Sequence, residues 1–194
     1  MKLLCFDISK AFCNIALNDG DIIRLLFLWF QNFHKKDVAV ICDQSVRLPF
    51  GLRCSPVLLM LALYYMLVLD VPQDPRLREL KRLIYQLAYM DNLSVSADSS
   101  EELRWAFQQL QSIFEPYKFP LQQFVSNDET LQVEIDEGTG KTTPTVVKLL
   151  GIEWERTTDK ISSKQIQLNM NAATRREILS SVAAQFDPFG FQGP

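Results

Sequence analysis

The 194-residue chain carries 23 acidic and 20 basic side chains, a net charge of −3, and is 47% hydrophobic. That balance excludes a disordered polyelectrolyte and a surface that holds polyanions by overall charge, so any nucleic-acid contact must be a local site. The longest apolar run, 57–69, has 13 residues; it is too short for the roughly 20 needed to cross a bilayer and predicts a core helix.

In chain order, "KLLCFDI" (2–8) has the β-branched, apolar and aromatic content of a short strand entering a core. Asp7 interrupts this N-terminal apolar run too early for a signal peptide. A turn is predicted at 18–21, Asn-Asp-Gly-Asp. Segments 24–30 and 37–48 suit a strand pair joined through the polar 34–36, although the first could equally begin a helix. "LPFGLRCSP" (48–56) is a loop, with Ser55 as N-cap and Pro56 at the first helical position of a helix running to about Leu69. An amphipathic helix follows at 76–84.

Residues 87–98, "LAYMDNLSVSAD", read as a buried hairpin with Asp91 at its tip. Ser99 and Glu102 stand at capping-box spacing and open a further amphipathic helix. Strands are predicted at 130–135 and 145–154, flanking the loop "DEGTGKTTP", and a last helix at 171–185. This order gives an α+β class.

The four cysteines, Cys5, Cys13, Cys42 and Cys54, form no CxxC pair and are expected to be buried free thiols, as in a reducing intracellular compartment. "GTGKTT" imitates the end of a phosphate-binding loop. Yet the required upstream glycine is Ile135, and the strand before and helix after are missing from the pattern.

Asp7 and Asp91 share one unusual setting, each a lone acid closing an apolar segment. An unpaired carboxylate is costly to bury, and two brought together repel unless a divalent cation relieves them. Spacing alone leaves open that Asp91 is a turn residue and that Asp7 caps a neighbouring element.

"FDISKAF" (6–12), "LPFGLRCSP" (48–56), "YMDN" (89–92), "FPLQQFVSN" (119–127), "LLGIEW" (149–154) and "TRREILSSVAAQFDPFG" (174–190) follow one another. In this order they resemble the reverse transcriptase of Bel/Pao-type LTR retrotransposons, over nearly the whole chain. The resemblance implies a polymerase palm, an antiparallel sheet backed by helices, over 1–155. It implies a truncated start of the thumb over 156–194, with the fingers largely missing before Met1.

It further implies an RNA-directed DNA polymerase that uses two Mg²⁺ ions, with Mn²⁺ as substitute. Its partners would be dNTPs, a primed RNA or DNA template and the rest of a Gag-Pol-like polyprotein, in the cytoplasm or in virus-like particles, without a membrane.

Carried over residue by residue, Asp7 and Asp91 resemble the catalytic metal ligands, and Ile8 the position that lends a backbone carbonyl to a metal. Ser9, Lys10 and Ala11 fall where backbone N–H groups meet the incoming triphosphate. Phe12 falls at the steric gate against a ribose 2′-OH, and Phe50 and Gly51 at the loop that packs on the nascent pair. Tyr89 and Met90 flank the primer end, and Leu150 and Gly151 resemble the primer grip. Asn92 replaces the second aspartate of the commoner Tyr-x-Asp-Asp, where its carbonyl oxygen can still accept or ligate. Gln122 and Gln123 stand where many relatives carry a lysine, which leaves the general-acid role unassigned, with Lys118 the neighbouring candidate. The alternative is a catalytically inactive remnant that serves as a nucleic-acid or protein interaction module.

Overall fold

The computed structural model describes residues 1–31, 39–162 and 174–183, and is mixed α+β with small antiparallel sheets. Two compact units divide it, Met1–Val125 and Ser126 onward.

In the first unit, β1 (Lys2–Ile8) is the central strand of a three-stranded sheet, between β4 (Asn92–Ala97) and β5 (Leu121–Ser126). Period-two alternation sends Leu4, Phe6 and Ile8 to one face, all buried, and Cys5 and Asp7 to the other, half-buried. The antiparallel register sets Phe6 opposite Leu93 and Leu4 opposite Val95, so their buried side chains extend the same inward face.

α4 (Ser100–Phe114) packs against that face with Leu103, Ala106, Leu110 and Ile113 at helical spacing, and Phe114 meets Phe6 edge-on at 6.1 Å. Each such fully buried side chain contributes about 1.5–3 kcal/mol. The Ser99 hydroxyl caps α4 as its spacing predicts, accepting from the Glu102 N–H at 3.2 Å.

α1 is one turn, Asp19–Ile22, capped by Asn18. β2 (Leu26–Gln31) and β3 (Ala39–Gln44) form the expected antiparallel pair, with Leu26 opposite Gln44. α2 (Ser55–Tyr64) continues as a π-turn over Tyr65–Leu69, closed by the Asp70 N–H on the Tyr65 carbonyl. Only one side of this run is core: Leu59, Leu63 and Met66 are buried, whereas Val57, Leu61, Tyr65 and Leu69 are exposed. Ser55 does not cap α2. Its hydroxyl donates instead to the Pro49 carbonyl at 2.7 Å and ties the preceding loop to the helix.

α3 (Pro75–Gln86), capped by Asp74, extends two residues past its predicted end. The arm entering the Asp91 turn is therefore reduced to a single bridge between Tyr89 and Asn92, and Leu87 and Tyr89 are exposed. Lys81, buried on α3, donates to the Asp70 carbonyl at 2.5 Å and to its carboxylate at 3.2 Å. The Tyr117 hydroxyl, just beyond α4, donates to the same carboxylate. The four cysteines are free, but Cys5 is half-buried and the other three exposed, so the expectation of buried thiols fails.

In the second unit, residues 130–135 are helical rather than a strand: α5 spans Glu129–Thr139. Leu131, Gln132 and Ile135 are buried at one-, three- and four-residue spacings, and the Asp128 carboxylate caps the first turn through the Leu131 N–H. Gly140 ends the helix in the left-handed region. The following loop is tied down by Asp136, whose carboxylate accepts from the Thr143 N–H and hydroxyl.

β6 (Val146–Leu149), β7 (Ile152–Glu155) and β8 (Lys160–Ser162) form an antiparallel meander. Buried Trp154 donates its indole N–H to Asp159 at 3.0 Å. α6 covers Arg175–Ala183, Thr174 precedes it outside the helix, and 171–173 and 184–185 of the predicted helix lie outside the described residues. Among the described residues no helix is long and apolar enough to cross a membrane.

Candidate metal and nucleotide site

β1 delivers Asp7 to the end of the ladder, on the face away from α4, directly opposite Asn92. One residue on, the Ile8 N–H donates to the Asp91 carbonyl at 3.0 Å, so backbone hydrogen bonding alone ties the Asp91 turn to the strand that bears Asp7. The turn itself is tight: Met90 has φ of 56°, and Tyr89 and Asn92 exchange backbone hydrogen bonds of 2.9 and 3.0 Å. The Asn92 amide leans toward the Asp91 carboxylate at 3.4 Å.

Both acids are half-buried, not buried. Desolvation, its largest perturbation, pushes the Asp7 carboxyl above the usual carboxylate range. A hydrogen bond from Gln122 opposes this, the charge of Asp91 adds to it, and the Ile8 N–H opposes it again. The Asp7 partner is a neutral amide, Gln122 Nε2 on Oδ2 at 2.9 Å, rather than a cation.

Carboxylate and carbonyl oxygens are the donors that suit Mg²⁺, and Asp7 and Asp91 are the acids that this end of the sheet offers. That ion is commonly held by one or two carboxylates and completes its shell with water and phosphate oxygens. Among the described residues no group of three or more His, Cys, Asp or Glu gathers around a single point.

The residues after Asp7 form a turn and a short 3₁₀ segment, Ala11–Asn14, entered through Lys10 at φ 51°. The Ser9 N–H is engaged by the Pro120 carbonyl at 2.8 Å, and the Ser9 carbonyl by the Asn14 amide at 2.8 Å. Of the three backbone groups assigned to a triphosphate, that of Ser9 is thus already bonded within the chain. Ala11 is buried.

Residues 15–17 pair with 46–48 through Leu17 N–H on Val46 and Leu48 N–H on Ile15, which carries the 48–51 loop up to this turn. As a result Phe12 and Phe50, 38 positions apart in sequence, meet with ring centroids 4.8 Å apart and tilted by 61°. Phe50 is 69% exposed, so the pair presents an aromatic wall to solvent. Gly51 has φ of 90°, and a side chain there would meet nothing within 4 Å.

The first unit therefore brings together Asp7, Ile8, Ser9, Lys10, Ala11, Phe12, Tyr89, Met90, Asp91 and Asn92 near one end of the sheet, and Phe50 and Gly51 beside Phe12. Leu150 and Gly151 belong to the second unit, where they form the two-residue turn between β6 and β7 with φ of 50° and 87°. Positive φ at both residues is the signature of a type I′ hairpin turn.

Sequence reasoning missed two residues. Gln122 counted only as a departure from lysine, and Asn14 not at all; a polar side chain just after a strand-to-turn junction was the available signal for Asn14. No protein-family model matches the chain, and a search of curated proteins returns no match.

Proposed function

We propose that the chain carries the catalytic palm of an RNA-directed DNA polymerase of Bel/Pao type, with its metal and nucleotide residues in the first unit. In this reading the palm spans 1–155 and the thumb begins at 156. The observation that carries the reading is the hydrogen-bonded placement of the Asp91 turn against the end of the Asp7 strand.

Asp7 and Asp91 would hold two Mg²⁺ ions with help from the Ile8 carbonyl, and Asn92 would contribute its carbonyl oxygen or a hydrogen bond. Bound there, the ions supply activation of a primer 3′-hydroxyl and charge stabilisation at the leaving pyrophosphate. The chain itself does the positioning. The Lys10–Ala11 turn faces the triphosphate, and Phe12, buttressed by Phe50, closes the sugar pocket against a 2′-hydroxyl. Tyr89 and Met90 would flank the primer end and the 50–51 loop would support the nascent pair; in the second unit, the Leu150–Gly151 turn has the residues of a primer grip.

The test is Mg²⁺-dependent extension of a DNA primer on an RNA template by the chain. Incorporation should be abolished by Asp7→Asn and by Asp91→Asn, and Phe12→Ala should admit ribonucleotides. Extension that survives both aspartate changes overturns the metal assignment.

A second reading, a non-catalytic palm-derived binding module, is favoured by the internal engagement of the Ser9 N–H. It predicts template binding without incorporation.

A further inference from the structure

β5 contains two adjacent glutamines, and the structure treats them very differently. In a regular strand Gln122 and Phe124, two residues apart, would share a face. Here they do not. Phe124 turns inward and stacks on Phe6 at 5.7 Å and edge-on against Phe107 at 5.3 Å, while the Gln122 amide reaches Asp7 on the other face. Gln123, in the left-handed region at φ 56°, breaks the alternation between them. A break in the alternation of this kind re-aims one side chain, as β-bulges do. The neighbouring backbone is pinned as well, because the Pro120 carbonyl holds the Ser9 N–H. The strand that supplies the amide is thus locked to the loop that follows Asp7.

We infer that Gln122 is a positioning residue for Asp7: its Nε2–H occupies Oδ2 and fixes the carboxylate plane in which Asp7 would hold an ion. This rests on the reading of Asp7 and Asp91 as a metal pair. A neutral amide suits the task, because it organises the carboxylate without cancelling the charge that attracts a divalent cation. An ammonium on the same oxygen would compete with that cation. Outer partners of this kind hold metal-ligating carboxylates in orientation, and their loss costs about 10- to 100-fold in metal affinity.

The experiment is calorimetric titration of the full chain with MgCl₂, in wild type, Asp7→Asn, Gln122→Leu and Gln122→Lys, with circular dichroism as the folding check. Asp7→Asn should abolish binding. Gln122→Leu should weaken it about 10-fold or more, and Gln122→Lys should weaken it although a donor is retained.

A readout independent of any variant's folding is the side-chain ¹⁵N amide resonance of Gln122 in the wild-type protein, which should shift when Mg²⁺ is added. Unchanged binding in Asp7→Asn overturns the metal pair itself. Lost binding in Asp7→Asn, with affinity in Gln122→Leu within twofold of wild type, overturns the positioning role alone. A Gln122 amide signal indifferent to Mg²⁺ that does bind overturns that role as well.

Discussion

Removing one of the two adjacent glutamines leaves "LQFVS" whichever is deleted, and the β5 bulge makes an unusual prediction for that variant. A deletion within a regular strand reverses the facing of every residue beyond it. Here the deletion removes the residue that breaks the alternation. The remaining glutamine faces Asp7 and the phenylalanine still faces Phe6 and Phe107.

The left-handed conformation at 123 costs about 1–2 kcal/mol in a non-glycine residue, and that cost disappears. Against it stands the loss of roughly one backbone hydrogen bond, about 0.5–1.5 kcal/mol. The net change should lie within about 1 kcal/mol of wild type.

The control is deletion of Cys5 from unbulged β1, which would turn Phe6 and Ile8, 3% and 0% exposed, out of the core. At about 3–5 kcal/mol for the phenylalanine and 2–5 for the isoleucine, that loss rivals the whole stability of a domain. Urea unfolding followed by circular dichroism separates the two. A glutamine deletion that costs more than about 3 kcal/mol, or a Cys5 deletion that is tolerated, refutes the bulge argument.

Because burial raises the Asp7 carboxyl, the native state takes up a proton at higher pH than the unfolded chain, so this group opposes folding above the carboxylate range and ceases to as pH falls. Asp7→Asn should therefore raise Tm at pH 7 while abolishing Mg²⁺ binding, and thermal melts should show that gain shrinking as pH is lowered. Asp70 has the opposite sign: the Tyr117 hydroxyl, then Lys81, hold its carboxyl low, which stabilises the fold above the usual carboxylate range and is lost as acid protonates it. Tyr117→Phe should move the acid unfolding limb to higher pH. In the wild type the Tyr117 phenol, pushed up to about 12 by burial and then by Asp70, should ionise late in an ultraviolet titration. Leu150→Asn should stabilise the β6–β7 turn by about 0.5–1 kcal/mol in thermal melts, since Asn-Gly suits a type I′ turn and leucine does not.

Local chemistry written in neighbouring residues was legible. The strand at 2–8, the Ser99 cap, the α4 stripe and the turn at Asp91 all follow from spacing. The 130–135 segment misled because Leu131, Val133 and Ile135 alternate like a strand, whereas the Asx cap at Asp128 and the spacing of Leu131 from Ile135 belong to a helix. Val133 is in fact 55% exposed. Ser55 misled for a related reason: a residue able to cap a helix can serve a nearby carbonyl instead, and only tertiary packing decides which. At the site, the acids stood out because carboxylates rarely close apolar segments. The Gln122–Asp7 bond spans 115 positions and depends on a backbone reversal at Gln123 that no side-chain pattern announces.

The cysteines give the chain a built-in order of chemical reactivity. Cys5 lies on the same face of β1 as Asp7, and burial pushes its thiol up to about 11, so little nucleophilic thiolate forms there at neutral pH. Cys13, Cys42 and Cys54 are exposed. A limiting amount of maleimide at pH 7 should modify these three and spare Cys5, as mass spectrometry of the peptides would show. With Cys42 and Cys54 changed to serine, a fluorophore at Cys13 sits one residue from the Phe12–Phe50 wall, where it can report a nucleotide arriving without any introduced thiol.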